Sequence, residues 1–113
     1  RELPRMTLMF CAFEGDAKIL RVYGTASVIH PVDDRWNEVS RHFAPMAGSR
    51  QIFELDIDLV QISCGTGVPY LDFQSQRGPG ELLPFFEDMG EDGVKAYWQR
   101  KNTKSIDDKP TGI

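Results

Sequence analysis

A long alternating strand that ends in a glycine-rich bend is the feature that most constrains the fold of this chain. Apolar and acidic residues alternate over residues 53–59, as they do in a strand with one buried face. The apolar phase then shifts by one over residues 60–62, and residues 63–69 interrupt the strand with two glycines and a proline. Such a shift predicts a β-bulge, and bulges re-aim side chains near barrel rims and binding sites. We expect the backbone of this bend to approach a ligand closely.

Two strands precede this one and form a predicted antiparallel hairpin. Residues 6–13 are almost all apolar, which is typical of a strand buried on both faces, and residues 18–30 alternate with the period of a strand. Gly15 lies in the polar turn between them, where a positive φ is expected, and the small residues Gly24 and Ala26 indicate either tight curvature or the close approach of another backbone. Because few residues precede the first strand, we expect a piece of a longer protein, or one whose core is completed by a partner.

The rest of the chain alternates helical and extended patterns without βαβ repeats. Asp33 is the predicted N-cap of a short helix whose apolar stripe consists of Trp36, Val39 and Phe43. A fourth strand is predicted at residues 68–73. Two helices then follow, separated by Gly90, the first with Pro84 in its first turn, and residues 102–110 form a polar, extended tail. This order favours a mainly β, α+β fold, with an antiparallel sheet curled into a partial or complete barrel and helices outside.

The composition indicates one soluble domain, residues 1–113. The net charge is −4 and the basic residues are scattered, so nucleic acid is not an expected partner. No apolar run approaches the roughly 20 residues that a membrane-spanning helix needs. Cys11 and Cys64 are predicted to be reduced and mostly buried, as in cytoplasmic proteins. Together with His30 and His42 they lack the spacing of a metal site, so no metal is expected.

The residues alone leave the chemistry open. Ser63 and Cys64 lie at the bend, but no histidine is spaced to activate either as a nucleophile, so no catalytic residue is assigned. The bend glycines are predicted to form a tight β-turn between two strands and not a dinucleotide-binding loop. Three acidic residues of the long strand are read as its solvated face: Glu54, Asp56 and Asp58. Arg21, Tyr23 and Arg77 are better candidates, because the arginine fork suits phosphate or carboxylate, although surface ion pairs are the alternative.

Several segments together resemble the pyridoxamine 5′-phosphate oxidase-like proteins. Residues 6–15 and 19–24 resemble the central hairpin of that family, and residues 61–69 look like a second signature. Residues 97–102 and 105–107 are similar to its C-terminal tail, although Asp108 and Lys109 replace the glycine and leucine expected there. In such proteins the first strands of the barrel and much of the flavin phosphate cradle precede the segment matching Met6. The chain therefore resembles their C-terminal portion and is expected to contribute part of the flavin site.

The resemblance implies a split β-barrel, incomplete in this chain, that binds flavin mononucleotide (FMN) at the interface of a cytoplasmic homodimer. It implies hydride transfer between the flavin and a small-molecule substrate, although enzymatic activity is left open. Carried over to this sequence, the cofactor-binding residues are Arg21, Ser63, Cys64, Gly65 and Arg77. The alternatives are a non-catalytic relative that has lost flavin and acts in assembly or ligand binding, and a related cofactor such as haem or a deazaflavin in the same groove.

Overall fold

A computed structural model describes residues 3–113, which contain three strands, two α-helices and one π-helical turn. In chain order these are β1 (Arg5–Cys11), β2 (Lys18–Ile29), α1 (Trp36–Ser40), β3 (Ile52–Cys64), the π-helical turn Gly78–Leu82 and α2 (Leu83–Lys101). The first of two compact units holds the described residues up to Ile29 together with Phe53–Gln74, and the second holds His30–Ile52 and Ser75–Ile113. These elements confirm the predicted α+β class, whereas closure into a barrel stays a prediction.

The first unit is built on a three-stranded antiparallel sheet with the order β1-β2-β3. β1 and β2 form the predicted hairpin, in register from Arg5 opposite Thr25 to Cys11 opposite Ile19. The amide of Ala12 donates to the carbonyl oxygen of Lys18 at 3.0 Å, which closes the connection. Gly15 has a φ of 66° in this turn, so the predicted positive φ is confirmed.

Side-chain pairs between β2 and β3 reveal a change of phase along β3. Tyr23 is hydrogen-bonded to Gln61, and Ser27 is hydrogen-bonded to Glu54. The two pairs are four residues apart along β2 and seven residues apart along β3. Between the pairs, β3 therefore contains an odd number of extra residues relative to β2. Asp58 lies on the same face of the sheet as Glu54, because it forms an ion pair with Arg5, which lies opposite Thr25 on that face. The surplus, the mark of a β-bulge, lies between Asp58 and Gln61, where the sequence pattern slips.

The apolar side chains of β1 stay largely exposed, contrary to the prediction that this strand is buried on both faces. Leu8 is 36% exposed, Phe10 53% and Met9 60%. The reason is that β1 is an edge strand of a three-stranded sheet and, among the described residues, pairs only with β2. β3 is exposed in the same way at Ile62.

The predicted fourth strand is wrong, because residues 68–73 have no regular secondary structure. Pro69 has no amide hydrogen to donate to a sheet. The amide of Leu71 donates to the carbonyl oxygen of Phe13 at 3.1 Å, but no ladder follows. Tyr70 is 83% exposed.

In the second unit α1 is shorter than predicted and begins after a turn. Asp33 is not its N-cap, because its carboxylate accepts a hydrogen bond from the His30 amide at 2.7 Å, and the N-cap position is occupied by Arg35. Trp36 is half-buried, whereas Phe43 lies beyond the end of α1 and is exposed.

The helical region of the second unit follows the prediction closely. Pro84 lies at the start of α2, and Gly90 interrupts the helix with φ 65° and ψ 170°. The predicted extended tail is wrong in one respect, because Lys104 forms an antiparallel bridge with Pro110 and the tail folds back on itself. Among the described residues, no helix combines the length and the apolar character required to cross a membrane.

Candidate functional site

Arg21 is the centre of a polar cluster on one face of the sheet. Its Nη1 atom donates a hydrogen bond of 2.7 Å to Ser63 Oγ on β3, and the pair is partly buried. Within residues 3–113 no carboxylate forms an ion pair with Arg21. A half-buried guanidinium that is paired only with a hydroxyl keeps most of its five donors and its charge for another acceptor.

Tyr23 and Gln61 extend this cluster along the same two strands. The Tyr23 hydroxyl donates to Gln61 Oε1 at 3.2 Å. Arg21 and Tyr23 share a face because they are two residues apart on β2. Gln61 is the residue that sequence reasoning missed. The change of phase along β3 could have identified Gln61, because after it the odd-numbered residues of β3 lie on the polar face.

Gly65 is buried at the end of β3, where the backbone turns. Its amide donates to the carbonyl oxygen of Ala17 at 3.0 Å, and its own carbonyl accepts from Val68 at 2.8 Å. The second bond defines the predicted β-turn. A Cβ atom on Gly65 would lie 2.7 Å from the Lys18 nitrogen, so the position requires glycine. The close approach at this bend is to the backbone of Ala17 and Lys18, whereas its approach to a ligand stays a prediction.

Cys64 is exposed, contrary to the prediction of a mostly buried thiol, whereas Cys11 is half-buried. The Sγ atom of Cys64 lies 3.2 Å from Thr66 Oγ1. Hydrogen bonds from the side chain and then the backbone of Thr66 lower the pKa of the Cys64 thiol. The bend therefore presents a free thiol with increased thiolate character beside Ser63.

Arg77 is an exposed residue of the second unit, at the N-cap of the π-helical turn. Its carbonyl oxygen accepts from the Glu81 amide at 2.8 Å. The other four predicted site residues lie in the first unit, at the end where β3 meets the start of β2. The first unit thus brings these four together without Arg77.

The three acidic residues of β3, Glu54, Asp56 and Asp58, are exposed, in agreement with their interpretation as the solvated face of that strand. Asp58 forms an ion pair with Arg5, and Glu54 accepts a hydrogen bond from Ser27. The hydrogen bond from Arg5 is the main cause that lowers the pKa of Asp58. In the described part of the chain, no group of three or more His, Cys, Asp or Glu side chains is arranged to hold a metal ion.

Comparison with known proteins relates the chain to one family. It is 34% identical over 123 aligned positions to the pyridoxamine 5′-phosphate oxidase family protein ustO of Aspergillus flavus, and the alignment covers 97% of this chain. The chain spans about half the length of that relative, 49%. No family model matches the sequence, and no solved structure matches it significantly. The similarity to ustO confirms the resemblance found in the sequence.

Proposed function

We propose, from the relationship of this chain to the pyridoxamine 5′-phosphate oxidase family, that it is part of a flavin-dependent oxidoreductase acting on a small molecule. The cofactor proposed is FMN, which would supply hydride transfer at its isoalloxazine ring. This chain would supply binding, orientation and exclusion of water.

The observation that carries the proposal is the state of Arg21. Its half-buried guanidinium is hydrogen-bonded to the Ser63 hydroxyl and has no carboxylate partner among the described residues. Burying a cation part-way without an opposite charge costs free energy, unless an anion binds there. A phosphate monoester carries two negative charges at most and accepts the bidentate fork that Arg21 presents. The donor set therefore fits the phosphate group of FMN.

The neighbouring residues fit the remainder of such a site. Tyr23 and Gln61 offer a hydroxyl and an amide for hydrogen bonds to a ligand lying along the sheet. Gly65 allows the backbone of β2 to approach the bend closely, and Ser63 lies within hydrogen-bond distance of Arg21 on the adjoining strand. Arg77 belongs to the second unit, and its part in cofactor binding stays a prediction.

The exposed apolar residues of β1 and β3 support assembly into a homodimer with a completed barrel. Isolated apolar side chains on a surface are normal, but a sheet that exposes Leu8, Phe10 and Ile62 together has a large surface to cover. The free thiols Cys11 and Cys64 are in keeping with the proposed location in the cytoplasm.

The same exposed surface favours a second candidate function. A relative that has lost the flavin and acts in assembly or ligand binding would also need an apolar interface, but it would not need an uncompensated Arg21. The two candidates therefore differ in their prediction for FMN and agree on the oligomer.

Titration of the purified protein with FMN, followed by flavin fluorescence and by light scattering, separates them. Saturable quenching with a dimeric mass supports the oxidoreductase. A dimer that leaves flavin fluorescence unchanged contradicts the flavin proposal and supports the second candidate. If the protein instead binds a haem or a deazaflavin, detected by the absorption of that cofactor, and does not bind FMN, the proposed site stands with a different cofactor.

A further inference from the structure

The second unit contains a cavity that the proposed flavin site does not use. It has a volume of about 430 Å³ and lies between the loop of residues 46–49 and the middle of α2. Ligand-binding pockets for small molecules usually measure about 300–1,000 Å³. The cavity therefore has room for a molecule of one or two rings.

The floor of this cavity is apolar and held in place. Val94 is the buried residue of α2 and lines the cavity together with Phe86 and Trp98. The ring of Phe86 packs edge-to-face against Phe85, with centroids 5.2 Å apart, and against Tyr97 at 6.1 Å. These contacts fix the orientation of Phe86, so the wall is formed before any ligand binds.

Two glycines in the left-handed region shape the opposite walls. Gly48 has a φ of 79°, and a Cβ atom there would lie 2.5 Å from the ring of Phe86. Gly90 adopts φ 65° and ψ 170°, a conformation that is open essentially to glycine alone. Both glycines line this cavity.

The cavity also carries more negative than positive charge. Glu87, Glu91 and Lys95 line it. Lys95 lies 3.9 Å from Asp92, whereas neither glutamate has an ion-pair partner within residues 3–113. Two unpaired carboxylates beside aromatic rings attract a cation through charge and through the ring faces.

We propose that this cavity binds a small organic cation in which an ammonium group is joined to an aromatic or apolar body. The body would lie against Phe86, Val94 and Trp98, and the ammonium would bind Glu87 and Glu91. This site is separate from the proposed flavin site in its residues, so its test does not depend on FMN binding.

A matched pair of probes tests the proposal. Phenethylammonium and 2-phenylethanol share a ring and a linker and differ in the charged group. Trp36→Phe leaves Trp98 as the sole tryptophan reporter, since the chain has two. We expect saturable changes in Trp98 emission, with phenethylammonium binding about tenfold more tightly because its ammonium forms charge-assisted hydrogen bonds.

Variants of the carboxylates identify the cause of that preference. The double variant Glu87→Gln, Glu91→Gln should bind both probes equally, whereas Asp88→Asn, on the same helix but outside the cavity lining, should keep the preference. Circular dichroism verifies that each variant is folded. Equal affinities of the Trp36→Phe protein, with both glutamates intact, for the two probes would overturn the proposal. So would the absence of a saturable response to either probe.

Discussion

Arg21 and Ser63 are 42 residues apart in sequence, and a 2.7 Å hydrogen bond joins the guanidinium of one to the hydroxyl of the other across β2 and β3. The contrast with Arg5 on the same sheet is informative, since Arg5 is paired with the carboxylate of Asp58. Hydroxyl pairing leaves the charge of Arg21 uncompensated, while carboxylate pairing neutralises that of Arg5. Of these two arginines, Arg21 is therefore the one prepared for an anionic ligand.

Replacing Arg21 with methionine should weaken FMN binding by about tenfold or more, because hydrogen bonds to charged groups contribute about 1.5–3 kcal/mol. Fluorescence titration at low and moderate salt measures the loss, and the salt dependence of binding should decrease with it. Arg5→Met is the matched control and should bind FMN like the unsubstituted protein. Equal affinities of the two variants would remove Arg21 from the proposed site.

Gly24→Ala should destabilise the first unit. A Cβ atom at this position would overlap the carbonyl oxygen of Asp56 and lie 2.9 Å from Leu55 Cδ1, and backbone on a paired strand has little room to move. Overpacking of this kind costs about 1–3 kcal/mol, which urea unfolding would measure. Gly67→Ala is the control, since nothing lies within 4 Å of its Cβ position, and it should change the unfolding free energy by less than about 0.5 kcal/mol.

The thiol of Cys64 should react faster than an ordinary cysteine near neutral pH. In a Cys11→Ala background the rate of alkylation by iodoacetamide should rise with a midpoint below the usual thiol pKa, because Thr66 stabilises the thiolate. Thr66→Val removes that hydroxyl and should move the midpoint to higher pH. Identical pH profiles for the two proteins would show that Thr66 has no influence on the thiol.

The parts of the fold that depend on local pattern could be predicted from the sequence. The β1–β2 hairpin, the close approach at Gly24 and the interruption of α2 at Gly90 follow from alternation and from glycine placement. The fourth strand could not be excluded by pattern, since Val68 to Phe73 contains apolar residues but no partner strand forms a ladder with them. Strand pairing is a long-range property, which propensity does not determine.

The site shows the same division between local and long-range information. Arg21 was predicted from its residue type and its polar face, but its pairing with Ser63 depends on the register of β3 after the phase change. The burial of β1 was overestimated, because an apolar strand indicates a need for neighbours without indicating whether this chain provides them. The ion pair of Arg5 and Asp58 spans 53 positions and carried no local signal.

The ion pair between Asp58 and Arg5 should make stability depend on acid. The hydrogen bond from Arg5 lowers the folded-state pKa of Asp58 below its unfolded value of about 3.9, so below that pH the unfolded chain binds more protons. The stabilisation is thus present above about pH 4 and is lost as the pH falls through the folded-state pKa. Asp58→Asn should lower the unfolding free energy at pH 6 and have less effect at pH 2.5. Asp72→Asn, at an exposed aspartate without an ion pair among the described residues, is the control, and a pH-independent effect of Asp58→Asn in urea unfolding would contradict the linkage.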